Sequence, residues 1–196
     1  MEALIADIER RCKLSDKERE VLMQNTRKLH FPKDSVVVDY GKVDDSMYFI
    51  RKGIWRAYVD RNGEQVTLWF GVPGECIFSS WGYIKGTPSR ISIVASSDSV
   101  AIELKKRTIV ELTNTLPGFD LWLNETIMEM ILTVDNSLVD ISSPNAEKRY
   151  LALMKKMPAI FKEVPLKEIA GYIGVTPQSL SRIRARLRSS SSSSTM

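Results

Sequence analysis

Apolar residues change their spacing twice along this chain. They first recur with a helical period, so that residues 3–12 and 15–29 read as helices. The second opens with Ser15 and has Glu18 three positions later, a capping-box pattern in which each side chain satisfies a backbone N–H. From about residue 30 to 104 the period shortens. Short apolar or β-branched runs at 35–39, 47–50, 54–59, 65–70, 91–95 and 100–104 read as strands. Lys52-Gly53, Asn62-Gly63, Pro73-Gly74 and residues 86–88 punctuate them as turns. Asn62-Gly63, between Arg61 and Glu64, is the signature of a tight type I′ hairpin, which makes 54–59 and 65–70 antiparallel neighbours. Many short strands at this spacing describe a small roll or sandwich.

Beyond residue 104 the helical period returns. Residues 105–112 read as a short helix, and Pro117-Gly118 forms a joint before a long one reaching about 141. At 100° per residue, Leu123, Ile127, Met130, Ile131, Val134, Leu138 and Ile141 fall on one stripe, and Leu121, Met128, Leu132 and Val139 on a second. Two apolar stripes need two covering surfaces. One is expected to lie on the roll and the other on the same helix of a second copy in a two-fold dimer, with Ile127, Met130, Ile131, Val134 and Leu138 as the dimerisation residues. The alternative is that both stripes are covered within one chain. Ser142-Ser143-Pro144 stops or hinges this helix, and 145–157 reads as another. The tail at 189–196, six serines followed by Thr and Met, is expected to be disordered.

Residues 164–188 form two short helices about a glycine-bearing turn. Residues 166–172 make the first, Gly174 supplies the turn, and Thr176 caps a second helix opened by Pro177. On the second helix Leu180, Ile183 and Leu187 share one arc, while Gln178, Arg182 and Arg186 lie opposite, with Ser179 at their border; Arg184 and Arg188 point to a third side. Such a face offers donors to base edges in a major groove and cations to phosphates. Gln178, Arg182 and, less directly, Ser179 are assigned to bases. Thr176, Arg184, Arg186, Arg188 and Lys167 are assigned to the backbone.

Charge strengthens this reading. Residues 145–188 hold ten Lys or Arg against three Glu, a net +7, so the remainder of the chain carries −3 of the overall +4. The final quarter of the chain is built for an anionic surface, of which nucleic acid is the commonest. With 196 residues, 43% of them apolar, the chain has material for one substantial core and a second small one. The first eleven residues include Glu2, Asp7, Glu9, Arg10 and Arg11, and no run approaches the roughly 18 apolar residues of a membrane span. A cytoplasmic protein without a membrane partner is expected. Two cysteines, Cys12 and Cys76, and one histidine, His30, make no metal-ligand cluster, and no catalytic set stands out, so neither a metal nor an enzyme activity is expected. The competing reading is a ligand-sensing or protein-binding dimeric module whose helix-turn-helix does not read DNA specifically.

The segment IAGYIGVTPQSLSRIR resembles the recognition segment of the bacterial Crp/Fnr superfamily, with Arg182 at the family's arginine and Gln178 where a base-reading glutamate often stands. Gly41, Gly53 and Gly74 resemble the family's roll glycines. The resemblance runs from about residue 15 to 188. It implies an α+β fold: an amino-terminal double-stranded β-helix or β-roll, a long dimerisation helix and a carboxy-terminal helix-turn-helix. The corresponding domains are 1–141, including the dimerisation helix at about 117–141, and 142–188. The resemblance also implies a homodimer on a two-fold-symmetric DNA site, RNA polymerase as a further partner, and a small effector in the roll. The residues matching the effector cassette are Gly74, Glu75, Ser89 and Arg90. Arg90 sits one place late for a cyclic phosphate, and a one-residue offset turns a strand side chain to the other face. Classical cyclic AMP is therefore not expected. The family's iron–sulfur sensing is excluded by cysteine number, and His30 alone is weak support for haem. Nothing after Arg188 is able to form the β-hairpin wing of many members.

Overall fold

A computed structural model describes residues 2–10 and 13–192. Helices α1 (Glu2–Glu9) and α2 (Asp16–Asn25) precede the strands β1 (Thr26–Phe31), β2 (Val36–Val38), β3 (Ser46–Lys52), β4 (Trp55–Arg61), β5 (Glu64–Gly71), β6 (Cys76–Phe78), β7 (Ser92–Ala95) and β8 (Ser99–Lys105). The chain then runs through α3 (Lys106–Thr115), α4 (Phe119–Ser142), α5 (Ala146–Lys156), α6 (Ile160–Glu163), α7 (Leu166–Tyr172) and α8 (Pro177–Ser192). The strands form two antiparallel sheets, ordered β1-β8-β3-β6 and β2-β7-β4-β5. Tyr48 and Ile50 from the first sheet meet Trp55, Ala57 and Ile93 from the second in a shared buried cluster, so the roll is filled by side chains. This is the α+β architecture expected.

The Asn-Gly hairpin is present: Arg61 pairs with Glu64, and Asn62 and Gly63 both take positive φ, 57° and 86°. The capping box on α2 is also complete, since Ser15 Oγ accepts from Glu18 N while Glu18 Oε2 accepts from Ser15 N.

Two boundaries depart from expectation. The helix predicted over 15–29 ends at Asn25 and residues 26–31 are strand β1. Asn25 Nδ2 donates to Val21 O at 2.8 Å and Thr26 Oγ1 to Met23 O at 3.3 Å, which closes the last helical turn. Pairing of all six following residues with β8 then outweighs their helical spacing. At the other end, α8 continues through Ser192, so Ser189–Ser192 are helical rather than part of a disordered tail; 193–196 lie outside the described residues.

Helix α4 ties the parts together. Leu123, Ile127 and Met130 pack against a cluster formed with α1, α2 and the first sheet, Val134 against the inter-sheet core, and Ile141 against the core of the helix-turn-helix.

Candidate nucleic-acid interface

Helix α7 ends where Gly174 takes φ 67°, and Val175 N donates back to Ala170 O at 3.0 Å, the left-handed closure that only glycine adopts without strain. Helix α8 then starts at Pro177, with Thr176 Oγ1 accepting from Ser179 N at 3.2 Å and lying 3.1 Å from Ser179 Oγ. Leu180 is fully buried, and Ile183 and Leu187 pack into the same cluster with Tyr150, Leu153, Ile169 and Tyr172. Burial of Leu180 alone contributes roughly 1.5–3 kcal/mol. This apolar backing holds the opposite face outward. Lys167, Thr176, Gln178, Arg182 and Arg188 are exposed, whereas Ser179 and Arg184 are half-buried.

Arg186 is placed differently from expectation. Although exposed, its Nη2 is engaged by Glu147 Oε2 of α5, a carboxylate competing with any phosphate. Arg149, which the sequence did not single out, braces the helix-turn-helix: its Nε donates to Ile173 O at 2.7 Å and its Nη1 to Ser143 O. One side chain thus joins the α7–α8 turn to the α4–α5 link.

The helix-turn-helix is seated on the roll. Glu168 of α7 and Arg56 of β4 form an ion pair, Nε to Oε2 3.2 Å, with both side chains largely withdrawn from water. Ser96 Oγ donates to the same carboxylate at 2.8 Å, and Thr67 Oγ1 to Glu168 O at 3.2 Å. Arg56 Nη2 donates to Gln65 Oε1 at 2.8 Å, and its guanidinium lies 4.6 Å from the Tyr58 ring centre. Burial pulls the Arg56 pKa down, opposed mainly by the charge of Glu168. A Cβ on Gly171 would come within 3.3 Å of Gln65 O, so α7 rests almost directly on β5. The Phe70 and Tyr172 rings, 5.4 Å apart, continue the contact.

Of the five residues assigned to dimerisation, Ile127, Met130 and Val134 turn inward onto their own chain, as described, while Ile131 and Leu138 are exposed. The stripe left open is the second one: Leu121, Met128, Leu132 and Val139 are 58%, 59%, 59% and 69% exposed. Among the described residues nothing covers these four side chains.

The residues matching the effector cassette do not converge. Gly74 and Glu75 line a cavity of about 310 Å3 against α4, facing Thr126, Glu129, Thr133 and Asn136. Glu75 Oε2 is occupied by Val72 N at 3.0 Å, and burial holds its carboxyl above the ordinary range. Ser89 is buried with its hydroxyl on Ile91 O at 2.8 Å, and Arg90 points to solvent. No lysine or arginine lines the Gly74–Glu75 cavity among the described residues, and Glu75 and Glu129 both do. Such a wall provides a cyclic phosphate no cationic anchor.

Residues 28–115 match the family profile of the cyclic nucleotide-binding domain. Among solved structures, the chain is similar to FixK2 from Bradyrhizobium japonicum, at 15% identity over 85% of this chain and 86% of that one, with a TM-score of 0.72. A protein of the Crp/Fnr family from Eubacterium rectale matches at 14% identity over 90% and 85%, TM-score 0.71. The c-di-GMP responsive global regulator CLP from Xanthomonas campestris matches at 13% identity over 88% and 91%, TM-score 0.68. No curated protein sequence matches significantly. Among the described residues no helix is long and apolar enough to cross a membrane, and no group of His, Cys, Asp or Glu is arranged to hold a metal ion.

Proposed function

We propose, from the premise that this chain has the fold of the Crp/Fnr regulators with a cyclic nucleotide-binding domain matched over residues 28–115, that it is a dimeric, sequence-specific DNA-binding transcription regulator of the cytoplasm. The observation that carries the reading is the outward face of α8: Gln178 and Arg182 are exposed on a helix whose opposite side is anchored by the fully buried Leu180. Gln178, at the second position of the helix, and Arg182, one turn further on, present donors to base edges. Lys167, Thr176 and Arg188 flank them toward phosphate, and the positive end of the helix dipole at the start of α8 favours the same anion.

A second copy joins along Leu121, Met128, Leu132 and Val139, together with Ile131 and Leu138. Two-fold pairing of α4 then places two copies of α8 toward successive major grooves, about 34 Å apart. RNA polymerase is the further partner of such a regulator once it is on DNA.

Selection of bound duplexes from a random pool tests this directly. The expected product is a two-fold-symmetric motif whose half-sites lie about one helical turn apart. A pool that returns no motif, from a folded dimer at low salt, would overturn the reading.

A further inference from the structure

At the centre of the outward face of α8 stands a side chain with no polar atom. At about 100° per residue, Ala185 falls about 20° from Gln178, about 60° from Arg182 and about 140° from the fully buried Leu180, and it is exposed. Its chain neighbours stand about 100° to either side: Arg184 is half-buried, and Arg186 is engaged by Glu147. Helix propensity does not account for an alanine at this point, because Ser181 and Ser189 share the face, are also exposed and are poorer helix formers.

We propose that Ala185 determines specificity by contact with the C5 methyl group of a pyrimidine, in a base pair next to the one read by Arg182. This deepens the reading of α8 given above and rests on it. A methyl side chain neither donates nor accepts, so it cannot read a base by hydrogen bonds. The apolar group that a base edge offers in the major groove is the methyl at C5 of thymine; 5-methylcytosine carries the same group at the same place. A polar base atom pressed against Ala185 loses its water and receives no partner in exchange, so the contact excludes as well as attracts.

The position fits such a contact. Ala185 lies three residues beyond Arg182, about 4.5 Å along the helix axis, against about 3.4 Å between successive base pairs. That advance carries the contact to a neighbouring pair. The short side chain also lets the backbone of α8 approach the groove floor, where a longer one would hold it off.

The test uses the full chain and a duplex taken from the selection, with the pair read by Arg182 located as the one where Arg182→Ala relaxes discrimination. The two flanking pairs are then altered one at a time. Thymine to uracil deletes the methyl and keeps every hydrogen-bonding group; at one flanking pair it should weaken binding about fourfold, the value of one buried methyl group. If cytosine stands there instead, its 5-methyl form should bind about fourfold tighter. The first result identifies thymine as the source of the methyl and the second 5-methylcytosine. Ala185→Gly should bring either ratio to one. The ratio is read rather than the absolute affinity, because glycine also weakens the helix; if the variant fails to fold, the wild-type exchanges decide. Wild-type binding that is indifferent to the methyl at both flanking pairs overturns the proposal, and so does a ratio that survives in folded Ala185→Gly protein. Either failure leaves a two-fold motif standing, whereas a selection that returns no motif overturns the reading of α8 and this proposal with it.

Discussion

Arg56 on β4 and Glu168 on α7 approach to 3.2 Å at a site where Arg56 is only 5% exposed, so the roll and the helix-turn-helix are joined by a buried charge pair. Its importance lies in the cost of breaking it on one side. Arg56→Met leaves the Glu168 carboxylate withdrawn from water with the Ser96 hydroxyl as its remaining partner, and is expected to destabilise the fold by about 3–5 kcal/mol. Arg56→Met with Glu168→Leu removes both charges and should recover at least half of that loss. Urea denaturation of both variants provides the check; equal losses would show that the pair is not the term that matters.

Arg182→Ala is expected to lower specific DNA affinity by about 1–3 kcal/mol and to relax discrimination at one base pair of each half-site. Arg188→Ala should weaken all sequences about equally and flatten the salt dependence. Binding measured against a panel of single-base operator variants separates the two behaviours. Unchanged discrimination in folded Arg182→Ala protein would remove Arg182 from base reading.

Glu147 holds Arg186 away from phosphate in the free protein. Glu147→Gln should therefore strengthen binding to duplexes of any sequence and steepen the slope of log affinity against log salt by about 0.9, the value of one added phosphate contact. A slope equal to that of wild type shows that Arg186 stays off the DNA.

Leu132→Asp with Val139→Asp puts two charges into the open stripe of α4, where each side chain is more than half exposed. Because both are solvated in one chain, monomer stability should change little, and sedimentation should show a monomer where the proposed wild-type assembly is a dimer. DNA affinity falls with it, since two linked half-sites bind far more tightly than one.

Burial raises the Glu75 pKa above its ordinary 4.5, against the lowering influence of the Val72 N–H and the Lys156 charge. Between 4.5 and the raised value the folded chain holds the proton more tightly than the unfolded one. Stability therefore falls as pH rises through that window, and the penalty is complete above it. Glu75→Gln should flatten this slope and leave the protein at least as stable as wild type near pH 7, as read by denaturant unfolding at a series of pH values.

Much of this was legible from residue spacing. Asn62-Gly63 located the hairpin because few other pairs accept two positive φ values, and Gly174-Val175-Thr176-Pro177 located the turn before α8 for the same kind of local reason. Period alone found both stripes of α4. It could not say which one faces the roll, because Leu123 and Leu121 are alike in chemistry and differ only in what the rest of the chain places beside them. Strands β1 and β6 escaped notice: Thr26–Phe31 has no turn before it, and Cys76–Phe78 is too short to show alternation. The pairs Arg56 with Glu168 and Arg186 with Glu147 join residues remote in sequence, and no local pattern marks a tertiary ion pair.

The apolar cluster behind α8 includes Ile54 and Phe70, which belong to the roll. The helix-turn-helix is therefore not a detachable cassette. Expressed without the roll, the segment from α5 onward would leave Tyr172 and Ile169 wet on the side they present to β5, and grafted onto a foreign sensor it would need that sensor to copy the footprint of Phe70 and the flat landing strip beneath Gly171. Inheritance of the two halves is thus coupled: a change at this seam has to be matched across it, whatever either half recognises.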